Sequence, residues 1–102
     1  VVRVFELKSL AAFDSADFFS LWDREKETLG AELVARDEML MRPGESKPIE
    51  RTAQADTRFF AVIAAYRDLE RASWRGSVVV APNRTLVVRV ELGARSLAIA
   101  RP

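Results

Sequence analysis

The sequence predicts a mainly β fold, a two-sheet β-sandwich with a short helical insertion after the first strand. Short runs rich in β-branched residues recur along the chain, as strands require. Turn signals such as Pro43-Gly44 and Pro82-Asn83 stand between several of them. The 102 residues are 49% hydrophobic and 30% charged, which is an ordinary globular composition. A chain of this length buries one core, so we expect a single domain over residues 1–102.

The first strand and the start of the insertion are expected within the first 22 residues. Val1–Lys8, with the sequence VVRVFELK, contains no strand breaker and predicts a strand. Asp14 or Ser15 can cap the helix that follows, and Asp17 adds negative charge where the helix dipole favours it. The apolar residues of this helix are Phe18, Phe19, Leu21 and Trp22.

The Phe18-Phe19 pair has two interpretations. Neighbouring residues on a helix point about 100° apart, so one ring can face a partner while the other faces the core. We expect both rings, like Trp22 and Trp74, to pack in the core, because aromatic side chains dominate core burial. Leu29-Gly30 should end or interrupt the helix, with Leu33 as a further apolar contact.

Five later strands are expected at Glu38–Arg42, Pro48–Ala53, Trp74–Val80, Thr85–Leu92 and Ser96–Ala100. Pro48 cannot donate to a ladder, which favours an edge position for its strand. Gly93 supports a tight turn between the last two, which should form a hairpin.

The central run from Phe59 to Tyr66 is compatible with two structures. Apolar residues at positions 59, 62, 63 and 66 give a helical face, and the three alanines among them favour a helix. The same residues suit a strand that is buried on both faces, and the neighbouring strands with short turns favour that alternative. Periodicity leaves the choice open, so an α+β domain with a central helix remains an alternative fold.

The composition excludes several classes of function. The chain contains no histidine and no cysteine, so it lacks the usual ligands of zinc and the usual general base. Sixteen basic and fifteen acidic residues give a net charge of +1, and their even mixing does not favour nucleic-acid binding. No run reaches the roughly 20 apolar residues of a membrane-spanning helix. The first residues are already strand-like and contain no initiator methionine, so we expect a processed or truncated chain.

Carboxylates are the remaining acid–base candidates. Asp14 and Asp17 are explained by helix capping. Four others are interleaved with Lys26 and Arg36, as on a solvated face; they are Glu25, Glu27, Asp37 and Glu38. No pair is marked as converging, so we predict no catalytic residue, cofactor or metal. A β-sandwich binding module and a small carboxylate-dependent enzyme both stay open at this point.

Five segments in order resemble one known family. They are VRVFELK at 2–8, AFDSADFFSLWD at 12–23, LGAEL at 29–33, RPGES at 42–46 and AAYRDLERASWR at 64–75. Their combination and spacing resemble the outer-membrane lipoprotein of the type VI secretion system, the TssJ (SciN or VasD) family. The resemblance extends from Val1 to about Val80.

The resemblance implies a transthyretin-like β-sandwich, with a strand rather than a helix in the central run. It implies an acyl anchor in the outer membrane and a periplasmic body that binds the C-terminal periplasmic domain of TssM, and through it TssL. The family's signal peptide, lipidated cysteine, first strand and following loop are expected upstream of Val1. Without the lipid we expect a soluble monomer. The alternative is a generic periplasmic β-sandwich binding module or a pilotin-like lipoprotein of another secretion system.

Strand order suggests where a partner binds. If neighbouring strands alternate in direction, the loops at Pro43–Lys47, Asp68–Ala72 and Gly93–Arg95 share one end of the sandwich with the family's upstream binding loop. Loops at one end of a sandwich commonly form one binding surface. The residues predicted to border the TssM site are Pro43, Gly44, Glu45, Ser46, Asp68, Glu70 and Arg71.

Overall fold

The computed structural model describes residues 1–101 and shows seven strands and a helical insertion. The strands are β1 (Val2–Leu7), β2 (Leu33–Met39), β3 (Ser46–Thr52), β4 (Phe59–Ala64), β5 (Arg75–Val79), β6 (Thr85–Leu92) and β7 (Leu97–Ala100). The helices are α1 (Ala11–Ser15), α2 (Phe18–Asp23) and α3 (Glu25–Leu29), with single 3₁₀ turns at Gly30–Glu32 and Leu69–Arg71. Among residues 1–101 no helix is long and apolar enough to cross a membrane.

The strands form two antiparallel sheets. The first sheet has the order β2-β1-β4-β5 and the second has the order β3-β6-β7. An isolated parallel bridge between Ser73 and Ser96 connects the two sheets beside β5 and β7. β5 and β7 lie close together here, since a Cβ on Gly76 would be in van der Waals contact with Cγ2 of Ile99, at 3.4 Å. The predicted mainly β sandwich with an early helical insertion is confirmed.

The two central strands of the first sheet, β1 and β4, are buried on both faces, which gives the protein three layers. One face of β1 and β4 packs against the second sheet through residues such as Val4 and Val62. The opposite face packs against the helical insertion through Phe5, Leu7 and Ile63. All six residues of β1 are therefore buried, whereas β6 alternates between buried and exposed residues because only one of its faces is covered.

The central run is the strand β4, as the resemblance implied, and the central-helix alternative is wrong. Phe59–Ala64 pairs with β1 on one side and with β5 on the other. Five of its six residues are buried, so the apolar pattern that suits a helical face also serves a strand covered on both faces.

Two other predictions of local structure are wrong. The strand expected at Glu38–Arg42 is β2, which spans Leu33–Met39 and ends before Leu40. The helical cap expected at Asp14 or Ser15 is Asp17, because both earlier residues lie inside α1 and the chain restarts as α2 at Phe18. The side chain of Asp17 accepts a hydrogen bond of 2.8 Å from the backbone N–H of Ser20.

The turn and edge predictions are confirmed. The helical part ends at Gly30 with a φ of 55°. Gly44 adopts a φ of 92° in the turn before β3, which is an edge strand and contains Pro48. Asn83 adopts a φ of 60° between β5 and β6, and β6 and β7 form the expected hairpin.

Each face of β1 contains one buried charge. Arg3, on the helical side, donates to the backbone oxygen of Trp22 at 2.7 Å and to Glu38 at 2.9 Å, and it stacks on the Trp22 ring. Glu6, on the side of the second sheet, accepts from the Thr57 hydroxyl at 3.0 Å. These two side chains fix the layers to one another, because a buried charge is tolerated only with its partners in place.

The cap at Asp17 leads to a prediction of pH dependence. The hydrogen bond from Ser20 lowers the pKa of Asp17 below its ordinary value of 3.8. A lowered folded-state pKa means that the carboxylate stabilises the fold above pH 3.8 and that this contribution is lost as pH falls through the folded value. We expect Asp17→Ala to be less stable than the wild type at pH 7 in urea denaturation. The difference should disappear with acidification below pH 3.8, and an unchanged difference would contradict this role.

Candidate partner-binding surface

Three loops meet at one end of the sandwich, which we call the loop end. They are residues 40–45 between β2 and β3, residues 65–74 between β4 and β5, and residues 93–96 between β6 and β7. Every strand runs opposite to its predecessor in the chain, so the loops that follow even-numbered strands lie together.

Backbone hydrogen bonds connect the first loop to the third. The Gly44 N–H donates to the Leu92 oxygen at 2.6 Å, and the Leu92 N–H donates to the Glu45 oxygen at 2.9 Å. The Glu45 carboxylate also accepts from the Arg42 N–H at 2.5 Å, which closes the turn around Gly44. The loop at 40–45 is therefore held in one conformation.

The second loop is connected to the third in the same way. The Ser73 N–H donates to the Arg95 oxygen, and the Leu97 N–H donates to the Ser73 oxygen, both at 2.8 Å. The Tyr66 hydroxyl donates to the Gly93 oxygen at 2.9 Å, and burial raises the pKa of Tyr66 above its ordinary value of 10.0. A neutral tyrosine donor and two backbone bonds thus connect the two sheets at this end.

A cleft of about 360 Å³ lies between the first and third loops. Its lining residues are Gly44, Glu45, Ser46, Glu91, Leu92, Gly93, Ser96 and Ala98. The charged groups in this lining are the carboxylates of Glu45 and Glu91, and the remaining polar groups are serine hydroxyls and glycine backbone. This chemistry suits donor groups or cations of another protein.

The first loop also exposes an apolar side chain. Leu40 is 75% exposed at the start of the first loop, and the Lys47 ammonium donates to its backbone oxygen at 2.6 Å. An exposed leucine on a fixed loop is a suitable anchor for a protein partner.

The carboxylates with lowered pKa values have structural partners. The guanidinium of Arg3 is the main cause that lowers the pKa of Glu38, and Ser20 is the main cause for Asp17. Within residues 1–101 there is no group of three acidic side chains that could hold a metal ion. Every buried side-chain nitrogen or oxygen in the described part of the chain has a hydrogen-bond partner.

Comparison with known proteins identifies the family. The sequence model of the family described as type VI secretion lipoprotein, VasD, EvfM, TssJ matches residues 1–95. This chain belongs to the type VI secretion lipoprotein family. Comparison with curated protein sequences gave no significant match.

Solved structures of type VI secretion proteins have the same fold as this family member. The crystal structure of the lipoprotein TssJ1 from Pseudomonas aeruginosa is 46% identical, with a TM-score of 0.88 over 99% of this chain and 77% of that chain. Lip from Serratia marcescens, described as a membrane-bound component of the type VI secretion system, is 28% identical, with a TM-score of 0.73 over 99% of this chain and 79% of that chain.

A chain from the structure of a type VI membrane complex is 23% identical to this lipoprotein-family member. Its TM-score is 0.76 over 97% of this chain and 78% of that chain. At that identity the match shows the fold alone.

The structure divides the predicted partner-binding residues of this lipoprotein into two groups. Gly44, Glu45 and Ser46 line the loop-end cleft, and Pro43 is exposed beside them. The residues of the 65–74 loop lie nearer the helical insertion. There, Arg71 contacts the carboxylate of Asp68 at 3.7 Å, and Glu70 lines a second groove.

Sequence reasoning missed part of the cleft. Glu91, Ser96 and Ala98 line it but were not predicted, although the alternation of strands had placed the neighbouring Gly93–Arg95 turn at this end. The bond from Tyr66 to Gly93 had no signal in the sequence, because 27 positions separate its two residues.

Proposed function

We propose that this chain is the periplasmic body of an outer-membrane lipoprotein that binds the C-terminal periplasmic domain of TssM. In this role it tethers the type VI trans-envelope complex, including TssL through TssM, to the outer membrane by means of an acyl anchor. The role is structural and involves no catalytic step. Membership of the type VI secretion lipoprotein family supports the proposal and favours it over a pilotin-like protein of another secretion system.

The observation that carries the proposal is the fixed loop end. Loops from both sheets are joined there by backbone hydrogen bonds, so little conformational entropy would be lost when a partner binds. The cleft adds two carboxylates, and Leu40 adds an exposed apolar side chain. The loop end therefore offers a partner both polar groups and an exposed apolar side chain, a combination that protein interfaces use.

Charge reversal at the predicted residues tests this proposal. We expect Glu45→Lys and Glu70→Lys each to weaken binding to the purified periplasmic domain of TssM at least tenfold. The introduced lysine would repel cationic groups of the partner that the carboxylate attracts. Isothermal titration calorimetry measures the affinity. Glu45→Gln removes the charge but keeps the turn, since its side-chain oxygen can still accept from the Arg42 N–H.

The matched control is Asp56→Lys. Asp56 is an exposed carboxylate in the loop before β4, at the opposite end of the sandwich, and its contact with Lys8 is long at 4.0 Å. This variant should bind the TssM domain like the wild type. Equal affinity of the wild type and both charge-reversed proteins would refute the loop-end site. No binding by the full-length wild-type protein would refute the proposed function.

A further inference from the structure

We propose that a groove around Phe19 binds a polypeptide segment that presents an apolar side chain flanked by basic residues. This Phe19 groove lies between α2 and the 65–74 loop and has a volume of about 320 Å³. Its lining residues are the apolar Phe18, Phe19, Leu69 and Trp74 and the charged Asp17, Glu70 and Arg75. It shares no lining residue with the loop-end cleft, and the proposal does not depend on TssM binding.

The exposure of Phe19 follows from the way α2 is fixed. The cap from Asp17 to Ser20 sets the first turn, and Phe18 points into the core with 7% of its surface exposed. Phe19 follows about 100° further around the helix and is 63% exposed. The expectation that both rings pack in the core is therefore wrong for Phe19.

The Phe19 ring is supported by other aromatic rings. It meets Phe18 edge-on, with ring centroids 5.6 Å apart. Phe18 in turn stacks on Trp22 and meets the edge of Trp74, each at 5.3 Å. An aromatic side chain held against a fixed base loses little rotamer freedom on binding, which is a property of interface hot spots.

Two carboxylates and one guanidinium line the groove, so carboxylates predominate there. Asp17 and Glu70 are exposed at the rim, and the pKa of Asp17 is lowered by its bond from Ser20, so this carboxylate is charged at neutral pH. Arg75 is the one cation among the lining residues, and its guanidinium is held in place because it stacks on Trp74 at 4.1 Å and donates to the Phe13 oxygen at 2.6 Å.

The charge of the whole insertion has the same sign. Residues 9–32 contain six acidic and two basic side chains, whereas the rest of the chain contains nine acidic and fourteen basic ones. The net charge of +1 therefore conceals a negative insertion on a positive body. Complementarity selects a basic polypeptide for this face and disfavours an anionic lipid surface.

Titration with defined peptides tests the groove. The probe is the blocked pentapeptide Gly-Arg-Phe-Arg-Gly, added to the ¹⁵N-labelled protein, and the amide shifts give the site and the affinity. We expect shifts at residues 17–20 and 69–75, and binding that weakens as salt is raised from 20 to about 300 mM, because the rim charges are exposed. Phe19→Ser should weaken the peptide at least tenfold.

Two control variants separate the contributions. Asp17→Asn retains a good helix cap while removing the charge, so it should weaken the peptide severalfold and abolish much of the salt dependence without unfolding α2. Val79→Ser removes a side chain that is also 63% exposed, on β5, and should leave binding unchanged.

Several results would overturn the proposal. Equal binding of Gly-Glu-Phe-Glu-Gly or Gly-Arg-Ala-Arg-Gly would show that the groove does not select a basic segment with an apolar anchor. Shifts outside the groove, or full binding by Phe19→Ser, would place the site elsewhere. Phe19-dependent self-association in sedimentation, or Phe19-dependent binding to phosphatidylglycerol vesicles, would assign this face to a second copy or to lipid.

Discussion

Replacing Phe5 with alanine should lower the free energy of unfolding by about 4 kcal/mol, the largest loss that we expect from a single change. Phe5 is fully buried on the helical side of β1 and meets the edge of Phe13 with ring centroids 6.3 Å apart. Its removal leaves a cavity between the first sheet and the insertion, where Leu21 and Leu29 are also buried.

Urea denaturation followed by tryptophan fluorescence is a suitable measurement for Phe5→Ala. Trp22 and Trp74 both pack against the cluster that contains Phe5, so their emission reports on this layer. Phe5→Leu is the matched control and should cost only about 1 kcal/mol, since it preserves most of the buried volume. A loss of less than about 1.5 kcal/mol for alanine would contradict close packing of the insertion on the sheet.

Replacing Arg3 with methionine should cost about 3 kcal/mol, because it removes one partner of a buried charge network. Arg3 is 7% exposed, contacts Glu25 at 3.3 Å and Glu38 at 2.9 Å, and supplies the donor for the Trp22 backbone oxygen. Methionine fills most of the same space, so the loss reports charge and hydrogen bonds rather than volume.

Arg36→Met is the control for Arg3→Met. Arg36 contacts the same two carboxylates, at 2.6 Å for Glu25 and 3.5 Å for Glu38, but its side chain is 40% exposed. Solvent screens such a pair, so this variant should cost less than about 1 kcal/mol. Equal losses in the two variants would show that burial of Arg3 is not the source of the effect.

The sequence predicts the strands best where local signals act alone. VVRVFELK at 1–8 and the final hairpin are recognisable because β-branched residues are enclosed by turn residues. The sequence predicts β2 too late, at Glu38–Arg42, because the charged residues of the true strand, Leu33–Met39, are typical of a solvated segment. Arg36 and Asp37 are in fact paired with Glu25 and Arg51, which are distant along the chain.

The burial of β1 on both of its faces is harder to predict from the sequence. The absence of polar alternation over six residues indicates cover on both faces, but Arg3 and Glu6 interrupt the apolar run. Their partners lie between 19 and 51 positions away, so that local pattern cannot reveal that these charges are satisfied.

The candidate site shows the same division between local and long-range information. Alternating strand direction was enough to bring the loops at 43–47, 68–72 and 93–95 to one end. It could not separate the loop-end cleft from the Phe19 groove, because that separation depends on Leu69 packing toward the insertion. Whether these residues bind TssM stays a prediction.

The pairing of β1 with β4 at the centre of the first sheet has a kinetic consequence. Residues 8–58 lie between the two strands, so closing this pair costs the entropy of a long loop before either core is complete. When the chain emerges from its amino end, the pairing of β1 with β4 therefore cannot be completed until residue 64 has followed. The face of β1 that packs against the second sheet waits longer still, because β6 and β7 follow residue 64, and until then its apolar side chains depend on whatever shields nascent chains from aggregation.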